Sequence, residues 1–150
     1  MLRVLITDPL SDNGIKILKE ANIEVINKPG IKPDELLELI GDIDGWIIRS
    51  GTKINKSHLD CANKLKVIGR AGVGVDNIEI NSATDNGVVV MNVPDGNTIS
   101  AAEHTMALIS ALSRNIQKGH LSLMKGEWRR NELVGNELKN KTLGVVGLGK

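Results

Sequence analysis

Aromatic residues are almost missing from this sequence: of 150 positions two are Trp, and Phe and Tyr are absent. A core must therefore draw on Ile, Leu, Val and Ala. The same lack removes the platforms on which single-stranded nucleic acids stack. Cysteine is scarce too. Cys61 is the single one, so no intrachain disulfide can form, and a reducing, cytoplasmic setting is expected. With no base beside it, Cys61 reads as a small buried hydrophobe, not as a nucleophile. Neither sign of charge is in excess. Lys and Arg number 19 against 18 Asp and Glu, which gives no electrostatic reason for a nucleic-acid or membrane partner. No apolar run is long enough to cross a bilayer, and the short run after Met1 is too brief for a secretory signal. His58, His104 and His120 fit no metal-ligand spacing, so no metal is expected, and they read as surface or helix-packing residues.

What is present is ordinary for a soluble globular chain: 41% apolar and 25% charged residues. The length suits one domain, or one domain with a piece of another. Short apolar runs alternate with amphipathic stretches. Strands are expected at 2–7, 23–26, 46–50, 65–69 and 88–92. Between them lie helices at 11–21, from Pro33, at 56–62 and at 79–85. Ser11 or Asp12 caps the first, with Ile15, Leu18 and Ala21 on one side. Pro33-Asp34-Glu35 opens the second, with Leu36, Leu37, Leu39 and Ile40 on its buried face. Asn86-Gly87 ends the last. Such alternation implies a mainly parallel sheet covered on both faces, an α/β fold. The run Val88-Val89-Val90-Met91 suits a central, doubly covered strand. The pattern changes between Pro94 and Ser100, where a domain boundary is placed, giving domains 1–98 and 99–150. One long helix is expected from Ser100 toward Lys125. A polar segment, a turn at 138–141 and a fresh strand at 142–146 follow. That strand runs into Gly147-Leu148-Gly149.

Ligands of open parallel sheets bind at the carboxyl ends of the strands. The third strand ends in Arg49-Ser50-Gly51-Thr52, and the fourth in Gly69-Arg70-Ala71-Gly72-Val73-Gly74. Paired arginines bind carboxylate or phosphate by charge-assisted bonds, and glycines let main-chain N–H groups approach an anion. Together they make a pocket for a small polyanion. Taken singly, each arginine reads better as a surface partner of a nearby acid. Gly147-Leu148-Gly149, after a fresh strand, is the candidate pyrophosphate turn.

These strings, together with Asn92-Val93-Pro94, Gly96-Asn97, Ser100-Ala101-Ala102-Glu103 and Lys141-Thr142-Leu143-Gly144, resemble the D-isomer-specific 2-hydroxyacid dehydrogenase family. Within it they resemble the branch that oxidises a phosphorylated 2-hydroxy acid at the head of serine biosynthesis. The resemblance implies a flavodoxin-like substrate domain followed by the start of a Rossmann domain that binds NAD. It implies substrate contacts from Arg49, Ser50, Arg70, Gly72, Val73 and Asn97. It also implies cofactor contacts from Val73, Gly147, Gly149 and Lys150. Val73 stands where some members have Thr, so no hydroxyl contact to the cofactor is available there. A homodimer through 99–141 is implied, with Arg130 lent to the partner's site. The family's catalytic Arg, Glu and His match no position of this chain, so the chain alone is expected to be inactive. The rival readings are members acting on glyoxylate, hydroxypyruvate or lactate, and a non-catalytic anion-binding or dimerisation module. A signalling receiver with Asp8 as phosphate acceptor is disfavoured, because Arg49 has the wrong charge for a magnesium site.

Overall fold

The computed structural model describes residues 1–147 and divides after Gly96 into two compact units. The first alternates strictly. Its elements are β1 (Arg3–Ile6), α1 (Asp12–Glu20), β2 (Glu24–Asn27), α2 (Pro33–Ile40), β3 (Gly45–Ile48), α3 (Lys56–Cys61), β4 (Val67–Arg70), α4 (Ile80–Asp85) and β5 (Val89–Met91). All five strands are parallel and lie in the order β2-β1-β3-β4-β5. This is the flavodoxin-like order, whose topological switch point lies between β1 and β3.

Local signals explain the element ends. Ser11 caps α1, its Oγ accepting the Gly14 N–H at 3.3 Å. Pro33 begins α2, where its missing N–H costs nothing. Gly87 takes a left-handed φ of +67° after α4, and the Val88 N–H then bonds the Ala83 carbonyl at 2.8 Å. The core is aliphatic apart from one ring. Leu5, Ile6, Ile40, Ile43, Trp46, Ile48 and Ile68 are fully buried, each worth roughly 1.5–3 kcal/mol in area removed from water.

Several expectations fail here. β5 is an edge strand, with Val89 and Met91 exposed. A continuous apolar run does not separate an edge position from a central one. Leu37 is exposed while Leu36 and Ile40 are buried; at 100° per residue it turns off their face. Ala21 ends α1 exposed, and α1 buries no residue fully. Cys61 is exposed, not buried. It lies about half a helical turn round from buried Leu59 and therefore points away from the sheet.

The second unit holds α5 (Thr98–Ser113), α6 (Ile116–Met124) and a 3-10 turn at Arg130–Glu132. The single long helix expected from Ser100 is broken. Asn115 adopts the left-handed region at φ 53°, ψ 33°, which Asn tolerates better than most residues. The Ser113 carbonyl, freed from the helix, accepts the Asn136 N–H at 2.8 Å, and Asn115 Nδ2 donates to the Val134 carbonyl at 3.1 Å. The chain around 134–136 thus satisfies the groups that the break exposes. The strand expected at 142–146 is not formed, and Val145 and Val146 are exposed. Among the described residues of this unit no strand lies beside it, so its main chain has no ladder partner.

Candidate functional site

The carboxyl edge of β3 and β4 carries the anion-binding candidates. Ile48 and Arg70 are register partners across these strands, so Arg49 and Ala71 leave the sheet side by side. The Ala71 N–H bonds the Ile48 carbonyl at 2.8 Å. Arg49, Ser50, Arg70, Gly72 and Val73 therefore gather on one rim.

Arg70 folds back over its own turn. The Gly72 N–H closes that turn on the Arg70 carbonyl at 2.8 Å. A Cβ on Gly72 would overlap Nη1 of Arg70 and stand 2.9 Å from its Cζ. Glycine is needed here for space. Arg70 Nε is buried and has no hydrogen-bond partner. A buried guanidinium donor without an acceptor is costly, and an oxyanion would satisfy it. The ion pairs of the described residues engage other cations, among them Arg3, Lys28 and Arg129, so the reading of Arg49 and Arg70 as routine surface partners gains no support. The only side-chain bond of Arg49 found among the described residues is a long one, Nη1 to the Pro9 carbonyl at 3.5 Å.

The turn after Gly72 is tied to β5. The Val93 N–H bonds the Gly72 carbonyl at 2.9 Å, and Asn92 Nδ2 donates to the Val73 carbonyl at 2.6 Å. The Arg49–Thr52 loop is anchored from below. Asp8, buried at the end of β1, accepts the Arg49 and Thr52 N–H groups on Oδ2 at 2.6 and 3.0 Å. Asn77 Nδ2 donates to the carbonyls of Arg49 and Thr52, both at 2.6 Å. Thr7 Oγ1 bonds Thr52 Oγ1 at 2.8 Å and accepts the indole N–H of Trp46 at 3.0 Å. Sequence reasoning missed the anchoring roles of Thr7, Asp8, Asn77 and Asn92. Asp8 carried one usable signal, since a carboxylate directly after an apolar strand must find donors if it is buried. Asn77 and Asn92 carried none that spacing could decode.

A cavity of about 590 Å³ opens beside the loop, lined in part by Asp8, Pro9, Thr52, Lys53 and His58. His58 Nδ1 accepts the Asn55 N–H at 3.3 Å in a capping box. Its ring meets that of Trp46 edge-on at 6.1 Å, and burial pushes its pKa down from the ordinary value.

Asn97 and Arg130 belong to the second unit. The Asn97 carbonyl accepts the Ala101 N–H at 2.8 Å and the Ser100 hydroxyl at 3.0 Å at the start of α5. Arg130 lines a cavity of about 450 Å³ with Arg114, Trp128 and Leu133. Gly147 adopts φ +93° with no heavy atom near its Cβ direction, so conformation, not crowding, calls for glycine there. Gly149 and Lys150 lie outside the described residues. Among the described residues no three His, Cys, Asp or Glu stand together as a metal site, and no helix is long and apolar enough to cross a membrane.

The chain is similar to D-3-phosphoglycerate dehydrogenase of Methanocaldococcus jannaschii, at 51% identity over 150 residues, covering 100% of this chain and 28% of that protein. It is similar to the Bacillus subtilis protein of the same name at 46% identity over 151 residues, again 100% and 28%. Among solved structures, a Thermus thermophilus protein superposes with TM-score 0.81 at 30% identity, over 91% of this chain and 46% of that one. A cofactor(NAD+)-bound 3-phosphoglycerate dehydrogenase of Entamoeba histolytica superposes with TM-score 0.66 at 32% identity, over 75% and 39%. The chain thus spans 28% of the length of these curated relatives. The D-isomer specific 2-hydroxyacid dehydrogenase catalytic-domain profile matches residues 4–141, and the chain belongs to that family.

Proposed function

We infer that this chain is the substrate-binding part, 1–98, and the beginning of the NAD-binding domain, 99–150, of an enzyme that oxidises D-3-phosphoglycerate to 3-phosphohydroxypyruvate in serine biosynthesis. The observation that carries the reading is the buried, unpartnered Nε of Arg70 beside Arg49. Phosphoglycerate has two anionic ends, and two guanidinium groups can each hold an oxyanion by charge-assisted bonds. The Val73 N–H and the hydroxyl of Ser50 supply neutral donors on the same rim, while Gly72, whose own N–H closes the turn on the Arg70 carbonyl, leaves space for the approach. The family resemblance adds Asn97 as a proposed substrate contact, and Arg130 as one lent to the partner subunit's site. Oxidation removes a hydride and a proton from the carbinol centre, and NAD, when bound, accepts the hydride. The donor set fits that cofactor as far as it goes. Gly147 supplies the left-handed turn a pyrophosphate approach needs, and Val73, Gly149 and Lys150 complete the contacts proposed from this chain. The part played by this chain is to bind the substrate's charges and fix its orientation, since no residue here matches the family's proton-transfer pair.

The second unit favours a homodimer through 99–141. Met106, Leu108, Leu112 and Trp128 are exposed, and Ser122 is its one buried side chain among the described residues. A cytoplasmic location follows from the proposed metabolic role. The test is the complete protein with NAD and D-3-phosphoglycerate, D-glycerate or D-lactate, followed by NADH formation. The phosphorylated substrate should lead in kcat/KM by about 100-fold or more, the value of one well-made charge-assisted contact. Equal rates with D-glycerate would assign the protein to another branch of its family.

A further inference from the structure

The Arg49–Thr52 loop lies in no regular element, yet four of its main-chain groups are occupied by only two side chains. Asp8 Oδ2 takes the N–H of Arg49 at 2.6 Å and that of Thr52 at 3.0 Å. Asn77 Nδ2 gives to the carbonyl of Arg49 and to that of Thr52, both at 2.6 Å. Donor and acceptor of both terminal residues are thus fixed from opposite sequence directions, by the segment just after β1 and by the segment after β4. Gly51 closes the arrangement, because a Cβ there would collide with Oδ1 of Asp8. Neither clamping residue extends the sheet. The main chain of Asn77 adds a further tie, its carbonyl accepting the Ile54 N–H at 2.9 Å just past the loop.

We propose that Asp8 and Asn77 are positioning residues, which hold the Arg49–Thr52 loop in its anion-binding shape and so set the affinity for the substrate without touching it. The proposal rests on the functional reading above, because it assigns the loop a substrate to bind. Its physical basis is preorganisation. Arg49 is exposed and held by a single long bond of its own, so the placement of its guanidinium depends on the main chain that carries it. A loop ordered beforehand spends less of its binding energy on ordering when the anion arrives. Asn77 is well suited to this. One amide nitrogen offers two donors in a plane and carries no charge that could compete for the arginines. Asp8 is suited as well, because a single buried oxygen, Oδ2, accepts both N–H groups.

The decisive experiment uses the complete enzyme with Asn77→Asp, which keeps the shape and replaces both donors by an acceptor. Steady-state KM for D-3-phosphoglycerate and for NAD is measured together with hydrogen exchange of the peptide spanning 48–54. The expected result is a KM for the hydroxy acid raised at least 10-fold, an unchanged KM for NAD, and faster exchange confined to that peptide. Asn77→Ser serves if the first variant fails to fold. Its hydroxyl can donate to one carbonyl only, so it should raise that KM by less than its loss of both bonds would, yet measurably, by about 3-fold or more. Unchanged KM for the hydroxy acid in a folded variant overturns the proposal, as does an equal rise in KM for NAD, which would mark a general structural loss. Failure of the functional reading shows differently. The unaltered enzyme would then not oxidise phosphoglycerate at all, while loss of exchange protection at 48–54 in the variants would still report the clamp.

Discussion

Gly72→Ala separates binding from stability at a single atom. The added methyl would overlap Nη1 of Arg70 and stand 2.9 Å from Cζ. The guanidinium is the free end of a flexible side chain, so it swings away and the fold does not break. Arg70 has no ion pair among those of the described residues and its Nε has no partner, so little folding energy is lost when it moves. Gly72 has no positive φ, and alanine at such a position gains about 0.4–1 kcal/mol by restricting the unfolded chain. Thermal stability should therefore hold or rise slightly. Substrate binding should suffer. A charge-assisted hydrogen bond contributes about 1.5–3 kcal/mol, which converts to roughly a 10- to 150-fold rise in KM for the hydroxy acid at about 1.4 kcal/mol per decade. The assay is steady-state kinetics of the complete enzyme with each substrate varied, beside a thermal melt. A KM within about 3-fold of the unaltered enzyme would refute the placement of Arg70 as an anion donor. A large fall in melting temperature would refute the claim that the guanidinium yields.

Two further outcomes follow from the core beneath the site. Trp46→Ala removes a fully buried indole and its bond to Thr7, and should cost about 3–5 kcal/mol in urea denaturation; a loss below about 1 kcal/mol would mean the site collapses around the cavity. His58 should make stability fall in mild acid. Burial lowers its folded pKa below the unfolded 6.5, so its contribution is complete above 6.5 and is lost as pH drops from there through the folded value. Protonation also replaces the Nδ1 acceptor of the Asn55 N–H by a donor. His58→Gln should flatten the slope of urea midpoint against pH in that window, and an unchanged slope would exclude His58 as its source.

The sheet was readable because its signals are local. Apolar runs, Ser11, Pro33 and Asn86-Gly87 each state their own element, and the sheet observed has all five strands in their expected places within two or three residues. What could not be read depends on neighbours. Val88-Val89-Val90-Met91 looks central by composition, but strand order alone decides that it lies at the edge. The break at Asn115 depends on the chain around 134–136 reaching back to the Ser113 carbonyl, about twenty residues away in sequence. The expected burial of Cys61 failed for a similar reason. A helix of six residues has one inward side, and its register against the sheet is set by Leu59. At the site, charge and glycine content marked Arg49, Arg70 and Gly72. The residues that hold them did not stand out, because a buried Asp or Asn is recognised by its partners, and the partners are main-chain groups that every sequence contains.

Those partners also connect the core to the rim. The indole N–H of Trp46 bonds Thr7 Oγ1, and Thr7 Oγ1 bonds Thr52 Oγ1. Thr52 is in turn held by Asp8 and Asn77. A buried ring, a strand-end hydroxyl and the Arg49–Thr52 loop thus form one chain of hydrogen bonds at the switch point between β1 and β3. Bonds in such a chain polarise and orient one another, so their contributions are not additive. When the indole is removed, Thr7 keeps a single partner and its hydroxyl is free to turn, which loosens its hold on Thr52. Trp46→Ala combined with Asn77→Asp should therefore raise the KM for the hydroxy acid by a factor different from the product of the two single effects. Core packing and the shape of the Arg49–Thr52 loop are one network here, and its members are contributed by the segment just after β1, by β3 and the loop that follows it, and by the segment after β4.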